Sequence, residues 1–170
     1  MNVPVSSMTG VRPWWSWLGL SLVIIAADQL TKLAMIAWLQ PGEERAVTGF
    51  FSFVLAFNTG AAFSFLRDAA GWQRYLFSAI ALAAGALIVW LLRRGGDRLY
   101  CAGLALILGG AAGNLWDRVT LGHVVDFLLF HWHGWYYPAF NIADSAITVG
   151  AGLLILDGFG RRRDRPEPAE

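Results

Sequence analysis

The chain is poor in most of the groups that soluble enzymes spread over their surfaces. Only 15% of its 170 residues are charged and 56% are hydrophobic, a balance outside the range of a soluble domain of this size. It has one cysteine, Cys101, so no disulfide can close within the chain, and that residue reads as a small apolar helix residue. It has one lysine, Lys32, and no serine is singled out beside it, which weighs against a Ser–Lys nucleophile. The HExxH zinc signature and a rhomboid-like serine motif are both missing. The net charge is +1, and the basic residues flank apolar runs without building a basic face, which excludes a nucleic-acid partner.

What the chain does have is four apolar windows, at residues 14–39, 75–92, 99–116 and 142–160. Each approaches the roughly 20 residues needed to cross a bilayer. The expected fold class is therefore an all-α membrane protein, four transmembrane helices with a small β element. It forms one domain over residues 14–160, between a disordered lead-in (1–13) and a disordered tail (161–170). The first window continues past Ala26 and Ala27, which argues against a cleaved secretory signal. Trp14, Trp15 and Trp17 form an aromatic belt at a membrane surface. Arg12, then Arg93, Arg94 and Arg98, then Arg161, Arg162, Arg163 and Arg165 fall on one side, which the positive-inside rule makes the cytoplasm. Both termini are expected there.

The polar residues gather at the other side. Asp28 and Lys32 are one helical turn apart on one face, either an interfacial ion pair or a positioning pair at the floor of a site. Gln29 adds another polar group where lipid wants none. Pro41 and Gly42 end the first helix. Residues 47–57 are rich in Phe, Val and Thr and read as short strands. The stretch FNTGAAFSF follows, with turn chemistry at Asn58 and Gly60 and small Ala61 and Ala62, where another chain can come close. Such a sheet can hold an extended peptide by strand addition, or be a bare interfacial hairpin. In GGAAGNLWDRV, Gly109 and Gly113 permit close helix contact. Asn114 and Arg118 share a face, and Asp117 points elsewhere. His131 and His133 have the i, i+2 spacing of strand metal ligands, but Trp132, Trp135, Tyr136 and Tyr137 around them mark an interfacial anchor, so no metal is expected.

Two acids stand out in apolar company. Asp126 lies in a β-like run, 124–130, and Asp144 opens the last apolar window, with Asn141 on its face. A carboxylate at the edge of hydrocarbon is costly unless paired, wet or protonated. Two at neighbouring entrances suit a shared-proton pair of the aspartic-protease kind; alternatively they are interfacial acids that never meet. A proton relay through Asp28, Asp126 and Asp144 would want acids spread through the membrane, whereas all three map to one end.

Taken together, DQLTK, FNTGAAFS, GGAAGNLWDR, VVDF and FNIADS, in this order and spacing, closely resemble bacterial lipoprotein signal peptidase, the signal peptidase II family. The resemblance covers the chain from Trp14 to about Phe159. It implies an aspartic endopeptidase of the inner membrane, active site near the outer face. The enzyme would remove the signal peptide from diacylglyceryl-modified prolipoproteins just before the lipidated cysteine. By resemblance the catalytic pair is Asp126 and Asp144. The supporting residues are Asp28, Lys32, Asn58, Gly60, Gly110, Asn114, Arg118, Asn141 and Ala143. It further implies an extracytoplasmic β-cradle, no cofactor, a monomer among membrane lipids, and sensitivity to cyclic peptides of the globomycin type.

Overall fold

A computed structural model describes residues 13–60 and 72–163. It contains four long helices: α1 (Trp15–Trp38), α2 (Gln73–Arg94), α3 (Arg98–Thr120) and α4 (Ile142–Arg163). All four are long and apolar enough to cross a membrane. Between them run strands β1 (Glu44–Ala46), β2 (Phe51–Asn58), β3 (Val124–Trp132) and β4 (Trp135–Tyr136), an antiparallel sheet in the order β1-β2-β3-β4.

The helix at the centre is α3, which packs against α1, α2 and α4. Its glycines explain how. A Cβ on Gly103 would stand 2.8 Å from the carbonyl oxygen of Gly150, and one on Gly150 would stand 2.6 Å from that of Gly103. The backbones of α3 and α4 therefore touch, as small-residue interfaces allow in lipid, where no hydrophobic force draws helices together. Gly109 does the same against α1, 2.8 Å from the Ser21 carbonyl, while the Ser21 hydroxyl donates to the Ala105 carbonyl at 2.8 Å. The pair predicted from Gly109 and Gly113 thus splits. Gly109 admits α1, and Gly113 leaves room for a carboxylate, since its Cβ would lie 2.8 Å from Asp28 Oδ2.

Two apolar clusters fix the ends. Ile88, Leu92, Cys101 and Leu104 pack under Trp17 and Leu18 at the start of α1. There Arg93 stacks on Trp14 at 4.9 Å and Arg94 on Trp90 at 3.8 Å. At the opposite end Leu39, Leu55 and Val125 join α1 to the sheet. The sheet thereby covers the end of the bundle where α1 and α3 finish and α2 and α4 begin.

Three boundaries differ from expectation. The stretch 47–57, expected as short strands, holds only β2; β1 lies before it, and Val47 and Thr48, which both donate to the Phe51 carbonyl at 3.0 Å, form the turn between the two. Arg93 and Arg94 belong to α2 and Arg98 to α3, so the turn is Gly95, Gly96 and Asp97. Helix α4 continues to Arg163 instead of ending at Gly160. The lead-in 1–12, Ala61 and Ala62, and the tail from 164 lie outside the described residues.

Candidate active site

Three charged side chains are sealed at the sheet end of the bundle. Lys32, from α1, is 2% exposed; Asp28, one turn earlier, is 0%; Asp117, from α3, is 1%. The ammonium of Lys32 lies 2.7 Å from Asp28 Oδ2 and 2.8 Å from Asp117 Oδ2, and donates to Asn114 Oδ1 at 3.1 Å. That uses its three donors. The carboxylates are saturated too. Asp28 Oδ1 accepts the Ala143 backbone N–H at 2.9 Å, a free donor in the first turn of α4. Asp117 accepts the Val125 N–H at 3.1 Å and the Gln29 amide at 2.8 Å. One lysine thus ties together α1, α3, the start of α4 and the start of β3.

Directly beside this knot stand Asp126 and Asp144. Asp126 is placed by β3, whose Cα pairs with Ala56 of β2 just past a register shift between Phe53 and Ala56. Extra residues in one strand re-aim side chains locally. Asp144 is placed by a reciprocal cap. Asn141 precedes α4 and its Oδ1 accepts the Asp144 N–H at 2.9 Å, while Asp144 Oδ2 accepts the Asn141 N–H at 3.4 Å. This is the capping-box arrangement with Asn and Asp as the two members. Asn141 is therefore a cap and not a first-turn face residue.

Amides connect the two acids. Asn141 Nδ2 donates to Asp126 Oδ1 at 2.8 Å, and Asn58 Nδ2 donates to Asp126 Oδ2 at 3.1 Å. Asn114 Nδ2 donates to Asp144 Oδ1 at 2.7 Å, while its Oδ1 accepts from Asn141 at 3.2 Å. Among the described residues, both side chains that hydrogen-bond the Asp126 carboxyl are neutral amides. Burial, then the charge of Asp144, push its carboxyl up to about 7, because both disfavour the ionised form. A buried acid held near neutrality can keep or release a proton at physiological pH.

Comparison with known proteins bears on the same residues. A family model described as "Signal peptidase (SPase) II" matches residues 20–160. The chain is 56% identical over 155 residues to a lipoprotein signal peptidase of Ralstonia nicotianae, covering 91% of this chain and 88% of that one. It is 55% identical over 148 residues to one of Burkholderia ambifaria, covering 86% and 89%.

The chain belongs to the signal peptidase II family.

The fold agrees. A bacterial membrane enzyme structure solved by the in meso method superposes with TM-score 0.79 at 26% identity, over 92% of this chain and 94% of that one. A second superposes with TM-score 0.74 at 27% identity, over 84% and 92%. The protein is thus a membrane-embedded peptidase, and its candidate residues have physical places.

The structure brings the predicted supporting residues into this one cluster. The Asn58 Oδ1 accepts the Gly60 N–H at 2.8 Å. Gly60 is at φ +102°, with no room for a Cβ against the Phe77 ring. Gly110 lets the Ala143 carbonyl press on its α carbon, and Ala143 is fully buried. Arg118 donates to the Asn114 carbonyl at 3.3 Å, lies 5.3 Å over the Phe77 ring, and interacts electrostatically with both Asp144 and Asp126. Its Nε is buried with no hydrogen-bond partner.

Asp117 is the residue that sequence reasoning missed. It does point away from Arg118, but towards Lys32. The signal was its i, i+3 relation to Asn114, which puts both on one helix face. The two histidines part company. β3 ends at Trp132, so His133 falls in the turn at φ +47°. His131 remains on the strand and pairs with the buried Ser52 hydroxyl at 2.8 Å. Among the described residues no group of three or more His, Cys, Asp or Glu is placed to hold a metal.

Proposed function

We propose that the protein is an aspartic endopeptidase that removes the signal peptide from diacylglyceryl-modified prolipoproteins, cutting just before the lipidated cysteine. Asp126 and Asp144 are its catalytic pair. The observation that carries this reading is the neutral amide link between the two carboxylates through Asn141, with Asp126 pushed up to about 7. Burial and the neighbouring charge of Asp144 disfavour ionisation of Asp126, which keeps a proton available at the pair.

With one proton on the pair, the ionised member takes a proton from a water between them. The protonated member donates to the scissile carbonyl oxygen, and the tetrahedral intermediate collapses with the proton passing to the leaving amine. Asn114 and Asn141 hold the acids apart in orientation, and Asp28, by anchoring the Ala143 N–H, fixes the turn from which Asp144 projects. Arg118 places a positive charge near both acids.

The chain works as a monomeric single domain, residues 14–160, in the bacterial inner membrane. Both termini are cytoplasmic and the sheet lies at the outer face. The stacking of Arg93 on Trp14 supports this by gathering the arginines at the end away from the sheet. By family resemblance the protein is a target of cyclic peptides of the globomycin type. The test is cleavage of a diacylglyceryl-modified prolipoprotein by purified protein, wild type against Asp126→Asn and Asp144→Asn. Each variant is expected to be inactive while folded; normal turnover by either would overturn the assignment.

A further inference from the structure

A furrow of about 520 Å³ runs between α2 and α3 on the flank of the bundle, with none of the site acids on its walls. Ala81, Gly85 and Ala86 line it from α2, Leu108 and Ala112 line it from α3, and Arg93 closes one end. We propose that this furrow binds an anionic diacyl phospholipid, with an acyl chain between the two helices and the phosphate at Arg93 and Arg94. Such a site is independent of the peptidase reaction under the sheet.

The furrow exists because α2 is loosely held. Its chief contact is with α3. Only 11% of its apolar window is buried by protein, the least of the four spans, against 44% for α3. Small residues leave the gap between them. A Cβ built on Gly85 would meet only Leu108, at 3.6 Å. In a bilayer a gap of this size takes in a hydrocarbon chain, since a void forfeits the contacts of every atom that lines it.

Charge selects the headgroup. Arg93 and Arg94 end α2. Arg93 stacks on Trp14 at 4.9 Å, and Arg94 stacks at 3.8 Å on Trp90, itself a furrow residue. Stacking orients a guanidinium and leaves its N–H edge free to bond a phosphate. Among the described residues neither arginine has a carboxylate within ion-pair distance. Two full positive charges outweigh the roughly half negative charge of the helix end. A phosphodiester at the mouth of the furrow therefore meets two cations that the protein leaves unneutralised. A zwitterionic lipid fills the furrow equally well but brings its own ammonium to the same two arginines.

A second copy of the chain fits less well. A two-fold dimer through this face, about an axis along the membrane normal, sets Arg93 and Arg94 against their own counterparts. Like charges across an interface are unfavourable. A free phosphate meets the arginines but leaves the furrow unfilled. A lipid satisfies both, and it supplies the packing that α2 lacks, so its binding stabilises the folded bundle by linkage.

The test is thermal unfolding of the full-length protein in detergent with added dioleoyl phosphatidylglycerol, dioleoyl phosphatidylcholine or inorganic phosphate. Two arginines near a membrane surface favour an anionic lipid about tenfold or more in affinity. Phosphatidylglycerol is thus expected to raise the melting temperature at about one tenth of the concentration that phosphatidylcholine needs, and phosphate to leave it unchanged. Arg93→Gln with Arg94→Gln should bring the two lipids level. Ala86→Phe fills the furrow from an exposed position and should weaken the response to both lipids. Leu87→Phe, exposed on α2 but outside the furrow, should respond as wild type. Each variant is read against its own melting temperature without lipid. Equal responses to the two lipids in wild type overturn the site, as does a preference that survives the double arginine variant. A lipid response unchanged by Ala86→Phe, or stabilisation by inorganic phosphate alone, removes the furrow from it. Efficient disulfide dimerisation of Ala86→Cys in native membranes also overturns it, because the furrow then holds a second copy.

Discussion

Two groups of buried carboxylates lie side by side at the sheet end of the bundle, and they are treated in opposite ways. Asp28 and Asp117 share a lysine at 2.7 and 2.8 Å and receive backbone N–H groups as well. Asp126 and Asp144 have no lysine within ion-pair distance; they are held by Asn58, Asn114 and Asn141. The first group is electrically satisfied and geometrically locked. The second is oriented but not neutralised, because an amide can aim a carboxylate without cancelling its charge. A cation in contact would lower both affinities for protons and end any exchange with a substrate. The lesson is one of division of labour. The saturated knot supplies rigidity, and it holds the neighbouring pair in place through amides and not through a direct ion pair.

The largest effect should come from neutralising the pair. Asp126→Asn and Asp144→Asn each remove one half of the proton transfer, and general acid–base groups contribute about 10²–10⁴-fold apiece. Because the two act as one unit, the double variant should be no worse than either single one. Turnover of a labelled prolipoprotein measures this, with far-ultraviolet dichroism to show that the helices persist.

Breaking the knot should instead break the fold. Lys32→Met strands two carboxylates in an apolar interior, and removal of one partner from a buried pair costs about 3–5 kcal/mol. The triple variant Asp28→Asn, Lys32→Met, Asp117→Asn removes the charge with the cation and should regain most of that loss. Thermal unfolding in detergent reads both. A Lys32→Met protein as stable as wild type would mean that the knot carries no weight.

The pH dependence distinguishes the two groups within one molecule. The Asp126 carboxyl lies at about 7 in the folded protein, against an ordinary value of 3.8. Between those values the folded state binds the extra proton, so the contribution of Asp126 to stability falls as pH rises from about 4 to about 7, then levels. The melting temperature should therefore decline across that window, and Asp126→Asn should remove much of the decline. Activity should fall on the alkaline side as pH rises through about 7, when the pair loses the proton it must donate. A melting temperature that climbs steadily through the window, unaffected by Asp126→Asn, would contradict the shift.

Much of this was legible in the sequence because lipid simplifies the reading. Four apolar windows became four helices whose ends moved by a few residues at most, and acids in hydrocarbon announced themselves. The contacts across the chain were harder to read. Asn141 was placed on a helix face because FNIADS has helical spacing, whereas its β-side position makes it the cap that aims Asp144. Asp117 is hard to read from sequence because its partner is distant in the chain, although an acid in an apolar helix needs a partner. Lys32 was that partner, 85 residues away in sequence. The window 47–57 starts too late for β1 at Glu44–Ala46, because Glu and Arg do not read as strand formers, and it takes in the Val47–Phe50 turn, whose Val, Thr and Phe have β-like composition.

The smallest effect should come from the third charged cluster, on the sheet. His131 bonds the Ser52 hydroxyl at 2.8 Å and lies 3.9 Å from Glu44, its ring stacked on Tyr136. It spans β1, β2 and β3, so its role is to brace the sheet above the pair. Ser52 is fully buried, and leaving its hydroxyl without a partner costs about 1–3 kcal/mol. His131→Ala should therefore lower the melting temperature by a few degrees, and His131→Ala with His133→Ala should keep cleavage within about twofold of wild type, since general acid–base work rests on the acids. Chelation by EDTA should leave the rate unchanged, because His133 is turned out of the strand at φ +47° and the two rings do not share a face. Activity lost in EDTA and restored by zinc would make the histidines ligands and put a metal beside the pair, erasing the contrast between a charge that is cancelled and one that is left to react.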